Sequence, residues 1–154
     1  MDDGDEAILA FDEAVAMTLR EMAGVECALR DRRQVTGGEF AGLTALLRLM
    51  GGKEGYLALS CPASVAAELA RKVFAESGTE PEAAMIRDCV GEVANVIAGQ
   101  AKTRLYGTPQ HFTLSPPVFG LERPPDTNAS RWVLTYSSEI GDFTVCVRLP
   151  AAAE

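Results

Sequence analysis

Asp88, Glu92 and Asn95 are the residues of this chain whose types and spacing could do chemistry. They stand at i, i+4 and i+7. At about 100° per residue they fall within about 60° of one another on a helix. Ile86, Val90, Val93, Ile97 and Ala101 share the opposite side, which is apolar. Such a helix buries one face and turns the other outward. The outward face would carry two unlike groups one turn apart. A carboxylate only accepts hydrogen bonds and pairs with cations; a carboxamide both donates and accepts, so it can hold a water against an electrophile. Taken alone, the same pattern also fits an ordinary solvated helix face. Gly99 lies about 40° from Asn95 on this face, where a missing side chain would let a partner's backbone come close.

The bulk numbers set bounds. A chain of 154 residues is long enough for one domain with a single core, and 47% apolar content is that of a globular protein. The reading is therefore one domain over residues 1–154, with 1–6 and 150–154 as tails. Fourteen basic against 22 acidic residues give a net charge of −8, which argues against nucleic acid and anionic membrane surfaces as partners. No apolar run is long enough to span a bilayer. The opening residues are acidic, whereas a signal peptide begins with positive charge, so the expected location is the cytoplasm. Cys27, Cys61, Cys89 and Cys146 are not in metal-binding spacing, and His111 is the single histidine. No metal site of the chain's own is expected, and the cysteines read as small buried hydrophobes.

The elements that must position the outward face follow from periodicity. Residues 8–22 read as a helix stopped by Gly24, and residues 25–29 as a short strand. Residues 30–38 are polar and read as a turn. Residues 40–49 and 56–61 read as a hairpin around the glycine-rich turn at 50–55. Pro62 opens a second helix, with Ser60 or Cys61 available as its cap, and Gly78 closes it. Thr79 and Glu82 have capping-box spacing, with Thr79 as N-cap of the long helix that runs to about Leu105. Residues 131–137 and 143–149 alternate and read as a second hairpin, with Trp132 and Tyr136 on one strand face and packing into the core. A proline-rich loop over residues 122–130 precedes it. This order predicts an α+β fold, a mainly antiparallel sheet packed with long helices. Helix followed by hairpin occurs twice, near 8–61 and near 82–149, a weak hint of internal duplication.

The string Gly91-Glu92-Val-Ala-Asn95-Val-Ile-Ala-Gly99-Gln-Ala-Lys-Thr103 closely resembles the signature helix of the CheC/CheX/FliY phosphatases of bacterial chemotaxis. Their motif is Asp or Ser, three residues, Glu, two residues, Asn, and Asp88, Glu92 and Asn95 match it. The end of the first helix, the first hairpin, Phe112-Thr-Leu-Ser-Pro-Pro-Val-Phe-Gly120 and the last hairpin also look like CheX, so the resemblance covers about residues 8–149. CheC carries the motif twice. Here the first helix offers Thr18 and Glu21 but no Glu-x-x-Asn, so one site is expected, as in CheX. Gln100 stands where CheX-like chains often have Asn; by helical geometry it lies away from the Glu92/Asn95 face. Lys102 and Thr103 belong to the signature with a structural role, a cation at the helix C-terminus suiting the dipole.

The resemblance implies a protein-aspartyl-phosphate phosphatase acting on a phosphorylated CheY-like response regulator. In that reading Asn95 positions the in-line water, Glu92 pairs with the regulator's active-site lysine, and Asp88 and Gly99 contact the regulator. The implied Mg²⁺ belongs to the regulator, with no cofactor on this chain. The resemblance also implies a homodimer formed through the sheets. A non-catalytic regulator-binding or flagellar-switch-type module of the same fold is the alternative.

Overall fold

The computed structural model describes residues 3–125 and 129–150. The chain runs α1 (Asp3–Ala23), β1 (Cys27–Thr36), β2 (Leu43–Met50), β3 (Glu54–Cys61), α2 (Ala63–Val73), a 3₁₀ turn (Ala75–Ser77), α3 (Ala83–Arg104), β4 (Thr113–Leu114), β5 (Val118–Phe119), β6 (Ser130–Ser138) and β7 (Phe143–Arg148). This is the α+β architecture that the sequence predicts. All strand pairings are antiparallel, in the order β1-β6-β7-β3-β2-β4, with β5 also on β2. Each hairpin therefore sits beside the other at the sheet centre, through β3 and β7.

Strand alternation decides which face is covered. Ala45, Leu47 and Leu49 of β2, Leu57, Leu59 and Cys61 of β3, and Val145 and Val147 of β7 point to one side. There they meet Ile8, Phe11, Val15 and Leu19 of α1, Val65 and Leu69 of α2, and Val90, Val93 and Ile97 of α3. The opposite side carries a smaller cluster of Leu46, Tyr56, Ala58 and Cys146, with Phe40 and Val133 packed on it. Among the described residues no helix packs on that cluster. Instead the 37–42 loop folds across it, with Phe40 edge-on to Tyr56 and its backbone N–H bonded to the Glu122 carbonyl.

Several local readings change in the structure. The polar stretch 30–38 is not a turn: β1 continues through it to Thr36 and pairs with β6, across a bulge between Leu29 and Asp31. An edge strand needs apolar residues on one side at most, and charge along it discourages further pairing, so polarity here marks an edge. α1 starts at Asp3, within the acidic segment expected to be a tail, and Asp5 pairs with Arg32 of β1 at 3.1 Å. Residues 1, 2 and 151–154 of the expected tails lie outside the described residues, as do 126–128 of the proline-rich loop; Pro150 is buried.

The predicted caps fail because their side chains are engaged elsewhere or sit too early. Pro62 is the N-cap of α2, without a side-chain bond, while the Ser60 and Thr44 hydroxyls share a buried hydrogen bond of 2.7 Å. Glu82, not Thr79, is the N-cap of α3, again without a side-chain bond. The Thr79 hydroxyl donates to the Ser77 carbonyl. Glu80 is held by Arg71 at 2.8 Å, so the α2–α3 connection is pinned by an ion pair in place of a capping box. Three of the cysteines are buried as expected; Cys27 is half-buried, and all four are free thiols.

Tyr136 is in the core as expected, stacked on Phe143 at 5.1 Å, and its hydroxyl donates to Asp12 of α1 at 2.8 Å. Trp132 is half-buried, with the Arg32 guanidinium 5.1 Å from its ring centre. The Tyr136–Asp12 bond ties α1 to the sheet. Burial, then the bond and charge of Asp12, push the phenol's pKa well above its ordinary value. A raised folded pKa means that the contribution is whole below the ordinary tyrosine pKa and is lost as pH rises beyond it. Tyr136→Phe should therefore cost about 1–2 kcal/mol at neutral pH. Urea unfolding of both proteins checks this: the gap should narrow in strong alkali, and equal stabilities at neutral pH would show that the bond contributes nothing.

Candidate functional site

α3 forms as the periodicity predicts, ending at Arg104 with Leu105 as its C-cap. It lies over β2 and β3 and packs against α1 on one flank and α2 on the other. Val90, Val93, Ile97 and Ala101 are fully buried, joined by Ala94 and Ala98. Ile86 departs from the predicted apolar face: it is only half-buried, because the first turn of α3 stands beside an open groove.

The burial of that face leaves a polar stripe outward. Asp88 and Glu92 are exposed, and Asn95 and Gly99 are half-buried. Among the described residues, the side chains of Glu92 and Asn95 have no hydrogen-bond or ion-pair partner. Both are thus free to meet a ligand. Asp88 is different, since its carboxylate lies 3.7 Å from the Arg87 guanidinium. A Cβ added at Gly99 would meet no described atom within 4 Å. Gly99 is therefore not demanded by packing within the chain, and close packing against its own sheet does not account for it.

One contributor escaped the sequence reading. A Cβ on Gly91 would stand 2.6 Å from the Phe119 ring tip, so this glycine lets the β5 aromatic pack directly on the helix. Arg87 in turn lies 5.4 Å over the Phe119 ring, within cation–π range, and faces Asp88. Gly91, Phe119, Arg87 and Asp88 form a continuous support for the stripe's first turn. The signal was present in the sequence, as a glycine inside an otherwise strongly helical, apolar segment.

The remaining signature residues brace the helix. The Thr103 hydroxyl donates to the Gly99 carbonyl at 3.1 Å, a structural use as expected. The Gln100 carboxamide accepts from Arg104, which also faces Glu13 and Met17 of α1, so Gln100 belongs to the α1 flank and not to the stripe. Thr18 of α1 is fully buried, with no partner for its hydroxyl among the described residues. It cannot present a second site. Cys89, behind the stripe, is buried, and burial followed by the Glu92 charge pushes its thiol pKa up to about 11. At neutral pH that thiol stays protonated and is no nucleophile. His111 follows the helix and packs edge-on against Tyr106 at 5.4 Å, a packing role.

The stripe can therefore position groups and pair with a cation, but it holds no buried acid–base pair. Comparison with curated proteins finds no match. Solved structures do match. The chemotaxis protein CheX from Desulfovibrio desulfuricans superposes with a TM-score of 0.79 at 20% identity, covering 94% of this chain and 99% of that one. The CheX–CheY–BeF₃–Mg complex from Borrelia burgdorferi matches at 0.70 and 20% identity, over 93% and 97%. FliY from Thermotoga maritima matches at 0.64 and 18%, over 95% and 90%. At these identities the likeness is one of fold. The sequence model described as "Chemotaxis phosphatase CheX" matches residues 43–127, more than half of the chain and the whole of α3. The chain belongs to the CheX family.

Proposed function

We propose that this protein hydrolyses the aspartyl phosphate of a CheY-like response regulator, using Asn95 to position water and Glu92 to engage the regulator. The observation that carries the reading is the pair itself: two side chains one turn apart, outward, and unpartnered among the described residues. The family match to a chemotaxis phosphatase and the solved complex of a CheX with a CheY support it.

The chemistry asks little of the enzyme. Water oxygen attacks phosphorus in line, the bond from phosphorus to the bridging oxygen of the aspartyl carboxyl group breaks, the aspartate carboxylate stays on the regulator, and inorganic phosphate leaves with the water's protons. Carboxylate is a good leaving group, so rate comes from holding water in line and from stabilising charge. The Asn95 carboxamide can donate to a phosphoryl oxygen while its carbonyl accepts from water. A carboxylate at that position would repel the phosphoryl oxygens. Glu92 pairs with the regulator's lysine and so sets the register in which Asn95 arrives. The Mg²⁺ that neutralises the phosphoryl group belongs to the regulator. Gly99 lets the regulator's backbone approach, and Asp88, held by Arg87, borders the contact.

A homodimer formed through the sheets belongs to the same reading. So does a cytoplasmic location, where such regulators act; among the described residues no helix is long and apolar enough to cross a membrane.

The decay of phosphorylated CheY-like regulators from the same genome tests the core of this reading. Wild type should accelerate decay. Asn95→Ala should lose about 100-fold or more in rate with only a modest loss of binding. Glu92→Ala should weaken binding as well, by about ten-fold, because one charge-assisted contact is lost. Full activity in Asn95→Ala would exclude the water-positioning role. Binding without acceleration by wild type would assign the chain to the non-catalytic modules of this fold.

Gly99 separates function from stability. Because its surroundings are open, Gly99→Ala should stabilise the helix by up to about 1 kcal/mol. The same methyl should weaken regulator binding. A rise in melting temperature together with tighter or unchanged binding would remove Gly99 from the contact.

A further inference from the structure

Beside the first turn of α3 lies a groove of about 500 Å³. Its walls are apolar: Leu43 at the start of β2, Ala63 and Ala66 of α2, and Ala84 and Ile86 of α3, with Arg87 at the rim. Alanines stand where larger side chains would have filled the space. Ile86 and Leu43 are left half-buried and Ala63 and Ala84 exposed, so apolar surface stays open to water. A contiguous patch of this kind next to a polar functional stripe is a feature of interaction sites.

The groove is continuous with that stripe. Ala84 precedes Asp88 by four residues, so positions 84, 88, 92, 95 and 99 form one line along the helix. Arg87 joins the two, lining the groove while its guanidinium faces Asp88. A protein that sits on Glu92 and Asn95 and extends toward the helix N-terminus must cover the groove. From the geometry we infer that this groove receives an apolar side chain of the same response regulator, carried on the docking surface flanking its phosphorylation site. The inference rests on the proposed function. At 1.5 Å per residue, Ala84 lies about 12 Å from Glu92 and about 16 Å from Asn95 along the axis. The side chain that fills the groove therefore stands about that far from the regulator's phosphoryl group. Contact at such a distance adds binding energy and orientation without touching the reacting atoms. The groove sets which regulator is accepted, and Glu92 and Asn95 act on the one that fits.

Ala84→Glu and Ala63→Gln test this. Both residues are exposed in the first turns of their helices. An acidic residue at the start of α3 also suits the helix dipole, so folding is retained. Steady-state dephosphorylation of a receiver protein from the same genome, loaded with phosphate by acetyl phosphate, gives KM and kcat. Both variants should raise KM about five- to ten-fold with kcat unchanged, whereas Asn95→Ala lowers kcat. An unchanged KM in both variants overturns the groove assignment while leaving the phosphatase intact. A rise confined to the charged variant shows electrostatic repulsion by Glu and overturns the apolar occupant. If wild type neither binds nor dephosphorylates any receiver, the function itself falls and takes the groove's occupant with it.

Discussion

The rotation of α3 about its own axis is the constraint on which the rest depends. Glu92 and Asn95 point outward only because the other side of the same helix is locked into the core. Val90, Val93 and Ile97 fill that core, while Gly91, Ala94, Ala98 and Ala101 keep the helix close to its neighbours. A rotation of one residue, about 100°, would carry valines into water and a carboxylate inward. Burying an unpaired carboxylate is far costlier than losing a methyl group, so the packing admits one orientation. The neighbours reinforce it: Arg104 grips Gln100 and reaches Glu13 of α1, and Phe119 sits on Gly91. Site geometry here is a by-product of core packing.

This explains which features were legible in the sequence. α3 is long and strongly periodic, so its existence, its outward residues and its end near Leu105 could be read directly. The two hairpins declare themselves by alternation and intervening glycines. β1 was misread because its central residues, Arg30 to Gln34, are all polar, and nothing local distinguishes an edge strand from a turn. Its existence depends on β6, about a hundred residues later. The caps were misread for a similar reason. Thr79 and Ser60 have helix-capping chemistry, but the Ser77 carbonyl and the Thr44 hydroxyl claim them through contacts that local sequence does not reveal. Gly91 was overlooked because its meaning lies in Phe119, a residue on a strand too short to predict.

Charge has a second role beyond solubility. The chain's net charge of −8 does not suit an anionic surface, and an aspartyl phosphate is an anionic target. The proposed site resolves this by division of labour. The neutral carboxamide of Asn95 is the group placed for the phosphoryl oxygens. The carboxylate of Glu92 is offset by one turn, where it meets the regulator's cation. Asp88, one turn further, is already balanced by Arg87. The unbalanced negative charge of the stripe thus sits one turn from the reacting centre, at Glu92, favouring a partner with a lysine on one side of its phosphoryl group.

The same division bears on how little this protein must invest in catalysis. Its strongly displaced ionisations include the buried thiols and the Tyr136 phenol, which burial moves upward and out of use at neutral pH. They belong to the packed interior, where they behave as core material. The stripe relies on a neutral amide and an open carboxylate, neither needing a desolvated cavity, so catalysis need not be built into a cleft. In the proposed reaction an exposed helix face is enough, because the partner brings the metal, the lysine and the labile bond. The demand then shifts from chemistry to docking: the value of Asn95 depends on where the partner comes to rest. On that reading, features that fix the position, such as Gly99 and the surface around the start of α3, carry as much of the function as Asn95.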